Sequence, residues 1–503
     1  MTSNDSRTLR FGRRSYLKGC VVGLGSTLSV AGVAGAAQSG EQNEQQYGTV
    51  VDVVEAGADN EGNESVTPVL REHVDDDTLL KFPAGRYYMD EQLRLTGFEN
   101  VGFVGEDATL VPATYHEFDG PQYRLFRMGT SDSPGRELRF EGFDIDQTAS
   151  DTGIRVLEAQ IEDGLVVRNV FIRGVHDSGT WGPGLFNITN PDGRGLVERF
   201  CAVDGGAHVD DTPNAGNMWR GPTGIGVDHN HRGTLVFDGC VLGGFPDNGL
   251  YASSETGRID VDGGRYQNSG TASIRLGGAT GTIKDATIVV DENPHDSSGQ
   301  HAIRLDHGDQ FTLEGVSIDI PQPNGDAIRI MNSVGTTSIA GSEISVADGS
   351  NNAILVDPEA GATAVQDVDI EINGSANAVQ IRGQDAGAVD LEDVRITGDA
   401  DGSTMRHAIL CERNGCRFDG LSVEQLGSNK RRGLDLRGDD ATVVNSEFKT
   451  THTPIVVNGA DDVTIENCYA DSVEDVSSLT IIDDSGSVSR ANNEFPDGVR
   501  DNR

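Results

Sequence analysis

Three arginines recur at the same place in a sequence repeat. Arg275, Arg304 and Arg329 each follow an isoleucine and precede a leucine or isoleucine. If the repeat units stack as coils of parallel strands, the three guanidinium groups lie on successive strands, ~4.8 Å apart. Like charges so placed repel each other unless an anion lies between them. That anion is either a carboxylate of the chain, for which Asp306 is a candidate, or a bound acidic ligand.

Aromatic and basic residues near this arginine ladder point to sugar binding. Tyr251 lies one repeat before Arg275, and Trp219 and Arg220 lie in the longest segment between two repeats. Arginine recognises carboxylates through its bidentate fork, and aromatic side chains offer flat, amphipathic faces to sugar rings. We therefore expect a groove over residues 225–330 that binds an extended, anionic polysaccharide.

The long segment, about residues 204–222, is expected to contribute to this groove, because a long loop on a regular scaffold is often functional. It is predicted to emerge near Asp228, His229 and His231. Residues two apart share a face only on a strand. The two histidines fall in a turn, so no metal site is predicted there. The predicted substrate-binding residues are His208, Trp219, Arg220, His229, His231, Tyr251 and Arg329.

Twelve segments of the chain share one pattern: a small residue, an apolar residue, a variable residue and a second residue that is usually apolar. Units of about 25 residues with two or three short strands cannot bury a core alone, but stacked coils cover one another. Propeller blades repeat at ~40–45 residues instead. The sequence predicts an all-β fold, a single right-handed parallel β-helix of about 12 coils over residues 49–485. The central apolar residues are Ile154, Leu185, Ile225, Leu250, Ile274, Ile303, Ile328, Ile354, Val379, Ile409, Leu434 and Ile455.

The alternation of side chains along a strand predicts two outward rows on one sheet. The first row starts at Arg155 and continues through Gly226 and Tyr251 into the arginine ladder. The second row lies two residues further along each strand and contains Asp228 and Asp306.

The charge balance is strongly acidic, with 80 Asp and Glu against 39 Lys and Arg and a net charge of −41. Such a surface repels itself in dilute solution, but in molar salt the Debye length falls to ~3 Å and the repulsion is screened. With few lysines, this composition is typical of halophilic archaeal extracellular proteins. It argues against nucleic acid as a partner. Nothing in the sequence indicates an oligomeric state.

The first 37 residues read as an export signal. A twin-arginine pair, Arg13 and Arg14, precedes a short apolar run and an Ala-x-Ala cleavage site, which is the pattern of Tat export. The apolar run is shorter than the ~20 residues of a spanning helix, so no membrane span is expected. We predict a linker at 38–48, a C-terminal tail at 486–503 and an extracellular location.

Six cysteines are present, and Cys20 belongs to the signal. The other five cannot all pair, so the chain is not a disulfide scaffold. Cys201 and Cys240 either stack as core residues or form a bridge. The same two alternatives apply to Cys411 and Cys416.

Two N-terminal runs resemble the opening of pectate-lyase-like proteins. They are Phe-Pro-Ala-Gly-Arg-Tyr at 82–87 and Val-Gly-Phe-Val-Gly-Glu-Asp-Ala-Thr-Leu at 101–110. The resemblance spans roughly residues 47–480 and implies the right-handed parallel β-helix of that superfamily.

The resemblance also implies a short helix that caps the open end of the coil. Thr67-Pro68 suits its start, because proline is favoured at the first helical position. Val69, Leu70 and Val74 are expected to face the first coil.

The resemblance implies a choice of chemistry but transfers no catalytic residue, because the family's Arg-x-Pro-x-x-Arg run is absent. A glycoside hydrolase needs two carboxylates ~5–9.5 Å apart, whereas Asp228 and Asp306 lie three coils apart, ~14 Å by the strand spacing. A lyase of this family uses Ca²⁺ on aspartates and a basic residue that takes the α-proton. Arg275 or Arg304 would be the base and Asp228 or Asp306 a ligand. These four residues are the predicted catalytic set.

The expected function is that of a secreted polysaccharide-active protein. If it is an enzyme, a lyase acting on a uronate-containing glycan is favoured over a hydrolase, with Ca²⁺ as the cofactor that such a lyase implies. Two alternatives stay open. The protein is a non-catalytic surface or adhesion β-helix that binds glycan, or the ladder arginines are structural and pair with carboxylates of the chain.

Overall fold

The computed structural model is a right-handed parallel β-helix with almost no α-helix, which confirms the predicted fold class. The predicted export signal lies outside the described residues, as does most of the predicted linker. Among the described residues, no helix is both long and apolar enough to cross a membrane. The structure describes residues 44–120, 122–213, 218–400, 406–474 and 476–503.

From Leu93 onward each coil passes through three parallel sheets, which we name A, B and C in the order in which these coils visit them; the described chain itself begins in sheets B and C. Sheet A carries the predicted repeat. Its strands are Leu93–Leu95, Arg124–Met128, Arg155–Ile161, Gly184–Ile188, Ile225–Val227, Asn248–Ser253, Ala272–Gly277, the first parts of His301–Glu314 and Ile328–Ala340, Ile354–Val356, Val379–Ile381, Arg406–Cys411, Arg431–Leu436, Ile455–Val457, Leu479–Ile481 and Val499–Asp501.

Sheet B follows sheet A in each coil, and in two coils a single long strand runs through both sheets. Its strands are Thr49–Asp52, Thr78–Phe82, the first parts of Glu99–Pro112, Arg136–Asp146, Leu165–Arg173 and Arg194–Ala202, then Thr234–Asp238, Arg258–Asp262, Thr280–Lys284, the second parts of His301–Glu314 and Ile328–Ala340, Thr363–Gln366, Val389–Glu392, Arg417–Asp419, Thr442–Val444, Val463–Glu466 and Val488–Ala491.

Sheet C closes each coil. Its strands are Glu61–Ser65, Gly85–Met89, the second parts of Glu99–Pro112, Arg136–Asp146, Leu165–Arg173 and Arg194–Ala202, then Val241–Gly243, Arg265–Gln267, Thr287–Val289, Ser317–Ile320, Glu343–Val346, Asp369–Ile372, Arg395–Thr397, Ser422–Gln425, Glu447–Thr450 and Tyr469–Ser472.

The helix has about 17 turns, so the predicted count of about 12 coils is wrong. The first two strands of sheet A escaped the count because Gln92 and Leu125 stand where the repeat has a small residue. At the other end, Val488–Ala491 and Val499–Asp501 pair in parallel with the preceding coil, inside the segment predicted as a tail.

The core is a stack of aliphatic side chains in register from coil to coil. Ile274, Ile303, Ile328 and Ile354 pair directly along sheet A and are fully buried. Each side chain covers the one in the next coil, so strands of three residues are buried without a second layer of structure. All five cysteines of the described region are buried thiols, and no disulfide joins them.

The turn from sheet B to sheet C depends on one residue with positive φ. Gly239 and Gly315 hold it in two coils, and Asp285, Asn445 and Asn467 hold it in others, with φ between +50° and +62°. Glycine lacks the Cβ that opposes this conformation, and Asn and Asp tolerate it. Because Gly, Asn or Asp recurs at this position, the chain turns from sheet B to sheet C within one or two residues.

The N-terminal end of the coil stack is capped by the helix Thr67–His73, with proline in its first turn as predicted. Leu70 is fully buried, and Val69 and Val74 pack against the core. The short 3-10 helix Val209–Asp211 lies far along the chain. Capping matters because an open coil presents unpaired strand groups to other chains.

Arg413 ties three coils together at the turn from sheet A to sheet B. Its side chain is fully buried and donates hydrogen bonds to four backbone carbonyls of the preceding coils. Nε bonds Arg382 O at 2.9 Å, and the two terminal nitrogens bond the oxygens of Gly361, Gly387 and Asp357 at 2.7 to 3.0 Å. No other side chain has five donors in a fixed fork.

The substitution Arg413→Met should destabilise these coils by about 3 kcal/mol or more, because buried carbonyls lose their donors. Hydrogen exchange of residues 355–390 and denaturant unfolding check this. Arg417→Met is the matched control and should change stability by less than about 0.5 kcal/mol. Among the described residues, the half-exposed Arg417 forms an ion pair only with Asp419. Equal effects of the two substitutions would contradict the role of Arg413.

Candidate functional site

The arginine ladder exists in the predicted register. Tyr251 pairs with Arg275, Arg275 with Arg304, and Arg304 with Arg329 on successive strands of sheet A. Gly226 precedes Tyr251 in the same row. The sequence therefore predicted correctly which side chains become neighbours over these coils.

Carboxylates of the chain lie between and beside the ladder arginines. Arg275 Nε and a terminal nitrogen each lie 2.6 Å from Asp306 Oδ2, and Arg304 Nε lies 2.6 Å from Asp306 Oδ1. Arg329 lies 3.4 Å from the nearly buried Asp357. One aspartate thus separates two guanidinium groups, and a second neutralises the third. Of the two anions considered for the ladder, the structure contains the intramolecular one.

Tyr251 lies beneath the end of the ladder. The guanidinium carbon of Arg275 sits 4.3 Å from the centre of the Tyr251 ring, which is a cation–π contact. Arg275 is therefore held from two sides, by a carboxylate and by an aromatic face.

The start of the predicted row is wrong. Arg155 pairs with Arg124, whereas Glu158 stands in the row, beside Arg127 on one side and Leu185 on the other. In this coil the sheet A strand runs from Arg155 to Ile161, so its central apolar residue is Leu157 rather than Ile154. In this coil, the sequence repeat was therefore placed three residues too early.

The long loop lies at the opposite edge of sheet A from the place predicted. It leads into the strand Ile225–Val227 from sheet C, whereas Asp228 follows that strand. The two edges are ~10 Å apart across a three-residue strand. The predicted site residues therefore fall into three groups, at the C-to-A edge, in the middle of the sheet and at the A-to-B edge.

At the C-to-A edge, the loop packs against neighbouring turns. Arg220 donates a hydrogen bond to Gly270 O at 3.3 Å. The His208 ring stacks on His295 with 6.5 Å between ring centres, so the segments 204–222 and 291–300 meet. Trp219 projects outward and is 75% exposed.

At the A-to-B edge, Asp228 shapes a turn. Its carboxylate accepts hydrogen bonds from the Asn187 side chain at 2.9 Å and from the Asn230 backbone and side chain at 2.8 and 2.9 Å. His229 is exposed beside it. Within the described residues, no hydrogen bond or ion pair joins Asp228 to the ladder arginines, and the catalytic role of these residues stays a prediction.

His231 is a core residue rather than a surface ligand. Its side chain is fully buried. Ile188 N–H donates to its Nδ1 at 3.1 Å, so Nε2 carries the proton and donates to Arg258 O at 3.2 Å. Burial lowers the pKa of His231 to about 4. Both ring nitrogens are occupied by the backbone, which leaves none for a polysaccharide in this conformation.

Trp181 was missed by sequence reasoning. It lies in the C-to-A turn one coil before Trp219 and is 56% exposed. Its carbonyl accepts a hydrogen bond from Thr223 N–H at 3.0 Å, which joins its turn to the long loop. Both tryptophans of the chain are thus exposed on one edge of sheet A. The detectable signal was that a tryptophan fell in a turn instead of a strand.

Asp247 is a second residue that sequence reasoning missed. It lies at the C-to-A edge, is nearly buried and accepts a hydrogen bond from Thr223 Oγ1 at 3.4 Å. Burial raises the pKa of this carboxyl group, against the opposing effects of Arg275 and Arg220. Perturbed carboxyl groups of this kind cluster at functional sites, although structural networks produce them as well.

Within the described ranges, no group of three or more His, Cys, Asp or Glu side chains is arranged to hold a metal ion. Ca²⁺ therefore stays an implication of the lyase chemistry alone.

No protein-family model and no curated protein matches this chain. Solved structures do match it. The catalytic unit of a thermostable GH87 alpha-1,3-glucanase from Streptomyces thermodiastaticus is 15% identical, over 93% of this chain and 71% of its own, with a TM-score of 0.40. The surface adhesin PfbA of Streptococcus pneumoniae is 11% identical over 88% and 92%, at 0.41.

A third match is the tailspike protein of Escherichia coli bacteriophage HK620, 10% identical over 90% of this chain and 79% of its own, with a TM-score of 0.45. At these identities and scores, none of the three carries an argument about the function of this chain. Membership of the pectate-lyase-like superfamily and Tat export stay predictions.

Replacing Asp306 by Asn should destabilise sheet A by about 2 kcal/mol, because Arg275 and Arg304 are then adjacent without a shared carboxylate. The double substitution Arg275→Gln with Asp306→Asn should recover part of the loss, since one of the two repelling charges is gone. Denaturant unfolding of the two single variants and the double variant measures the coupling. An Asp306→Asn variant as stable as the parent would contradict the ladder account.

His231 should make the protein less stable as pH falls. Its pKa is about 4 when folded and ~6.5 when unfolded. Between these values only the unfolded chain takes up the proton, so stability is complete above ~6.5 and falls by up to about 3 kcal/mol by pH ~4. The difference in unfolding free energy between pH ~7.5 and ~5 should shrink in His231→Gln. The same difference should persist in His229→Gln, which changes the exposed neighbour. If the difference is as large in His231→Gln as in the parent, His231 is not the group that makes stability depend on pH.

Proposed function

We propose that this protein binds an extended polysaccharide along the C-to-A edge of sheet A, outside the cell. The observation that carries the proposal is the exposure of both tryptophans, Trp181 and Trp219, on neighbouring turns of one edge. A large aromatic side chain left in water contributes nothing to the core, and such residues are enriched where a partner covers them.

The shape of the molecule supports a linear ligand. Successive coils repeat every ~4.8 Å, so side chains on one edge form a straight row along the long axis. Trp181 and Trp219 offer two flat faces in that row, and Tyr251 follows one coil later on the sheet. A chain of sugar rings laid along this row would contact several coils at once.

The catalytic form of the proposal is β-elimination on a uronate. A base removes the proton from the carbon beside the carboxylate, the electron pair forms a double bond to the neighbouring carbon, and the glycosidic C–O bond at that carbon breaks. The leaving oxygen takes a proton from water, and an unsaturated sugar is released. Arg275 and Arg304 stay the predicted bases of this form. Both already contact Asp306, so they would have to exchange that carboxylate for the substrate.

Binding without catalysis is the second candidate, as in a surface or adhesion protein. The observation that favours it is the separation of the predicted catalytic residues. Asp228 is bonded into its turn at one edge, and each ladder arginine already contacts a carboxylate of the chain, Asp306 or Asp357. The two forms differ in product release and share the binding edge.

The substitutions Trp181→Ala and Trp219→Ala should each weaken glycan binding about tenfold or more, because stacking area is lost without effect on the core. A panel of acidic and neutral polysaccharides in molar KCl, read by affinity electrophoresis and calorimetry, tests this. Tyr469→Ala, an aromatic residue on sheet C, is the control and should bind as the parent does.

Ultraviolet absorbance of unsaturated products separates the two forms in the same samples. Growing absorbance with a bound uronate polymer supports the lyase form. Binding without absorbance supports the adhesion form. If no polysaccharide of the panel binds, or if both tryptophan variants bind normally, the proposal is overturned.

A further inference from the structure

The N-terminal coils of sheet A hold an excess of positive charge in a chain whose net charge is −41. Arg94 and Arg127 are neighbours in the outward row, and Glu158 follows them. Arg124 and Arg155 approach the same glutamate from the start of their strands. Three arginines therefore contact a single carboxylate, and Arg94 lies beside Arg127 in the same row.

The contacts of Glu158 show how it is shared. Its Oε2 lies 2.7 Å from Arg124 Nε and also contacts a terminal nitrogen of Arg155, and its Oε1 lies 3.5 Å from Arg127 Nε. Arg124, Arg155 and Glu158 are almost fully buried. Within the described residues Arg94 has no carboxylate within ion-pair distance, and Asp228 acts on Arg155 only through space.

This cluster differs from the arginine ladder in its charge balance. The ladder has three arginines for two aspartates, Asp306 and Asp357, whereas the cluster has four for Glu158 alone. Burying unbalanced charge is costly unless other groups compensate. The buried Nε atoms of Arg124 and Arg127 lie at ion-pair distance from Glu158, 2.7 and 3.5 Å away, but neither makes a hydrogen bond within the described chain.

Two of the four arginines can reach a ligand. Arg94 is exposed, and the side chain of Arg127 is 24% exposed. They lie on adjacent strands, ~4.8 Å apart, with their charged groups on the outer face of sheet A. Buried Arg124 and Arg155 hold Glu158 in place, and Glu158 in turn fixes Arg127.

The cluster is continuous with the tryptophan edge. Arg155 Nε donates a hydrogen bond to Gly182 O at 3.2 Å, and Gly182 directly follows Trp181. The strand that follows Trp181 lies two coils from Arg127 and three from Arg94, ~10 and ~14 Å along the axis. This pairing fits a sugar whose ring stacks on an aromatic face while its carboxylate meets an arginine fork.

We infer that Arg94 and Arg127 form a carboxylate subsite of the glycan groove, and that the polysaccharide it takes is a uronate polymer. The inference rests on the proposed function and names the substrate class of the same edge. It moves the anion-binding position from the predicted coils 225–330 to the coils that contain Arg94, Arg127 and Glu158.

Calorimetry with matched oligosaccharides tests the subsite. The probes are hexamers of galacturonate, mannuronate and glucuronate, together with the carboxyl-reduced, neutral form of each, titrated into the full chain in molar KCl. The parent should bind at least one uronate hexamer about tenfold or more tightly than its neutral form, because charge-assisted hydrogen bonds exceed neutral ones.

The variants Arg94→Gln and Arg127→Gln should each lose about tenfold in affinity for the uronate hexamer and change little toward the neutral form. Arg490→Gln is the matched control, an exposed arginine on sheet B, and should bind as the parent does. Denaturant unfolding of each variant verifies that the fold is retained.

The outcomes separate this inference from the proposed function. If uronate and neutral hexamers bind equally, or if the two arginine variants bind as the parent does while Trp181→Ala does not, the subsite is refuted and the glycan edge stands. If no hexamer binds the parent, both the edge and the subsite are refuted.

Discussion

The spacing of ~4.8 Å between successive coils is the constraint on which the rest of the structure depends. Any residue type that recurs at one position of the repeat is placed directly against its own copies. Isoleucines so stacked form the core, and glycines or asparagines form the turns. Arginines so stacked repel each other, and the structure resolves this with a carboxylate set between them, as Asp306 lies between Arg275 and Arg304.

The same constraint distinguishes two parts of sheet A. In the ladder, each stacked arginine contacts an aspartate of the chain, Asp306 or Asp357. Around Glu158, three arginines share one carboxylate and Arg94 forms no ion pair within the described residues, so the surface keeps a positive charge that an acidic ligand can balance. In a chain of net charge −41, long-range repulsion opposes any polyanion. Molar salt, with a Debye length of ~3 Å, screens that repulsion and leaves short contacts such as those of Arg94 and Arg127 intact.

The repeat predicted the fold and the central register because period and alternation are local properties of the sequence. Tyr251, Arg275, Arg304 and Arg329 became neighbours as expected. The early coils were missed because Leu125 replaces a small residue, and the shifted strand at Leu157 hid the role of Glu158. Pairing with Asp306 and the burial of His231 depend on side-chain conformations that no spacing fixes. Trp181 was not predicted as a site residue because its exposure in the folded chain, rather than its residue type, identifies it as a candidate.

The most direct measurement is a crystal structure of the full chain with a bound uronate hexasaccharide. The account predicts sugar rings on Trp181 and Trp219 along the C-to-A edge of sheet A, with a carboxylate within hydrogen-bond distance of Arg94 or Arg127. An oligosaccharide bound at the A-to-B edge beside Asp228, on sheet B or on sheet C would contradict it.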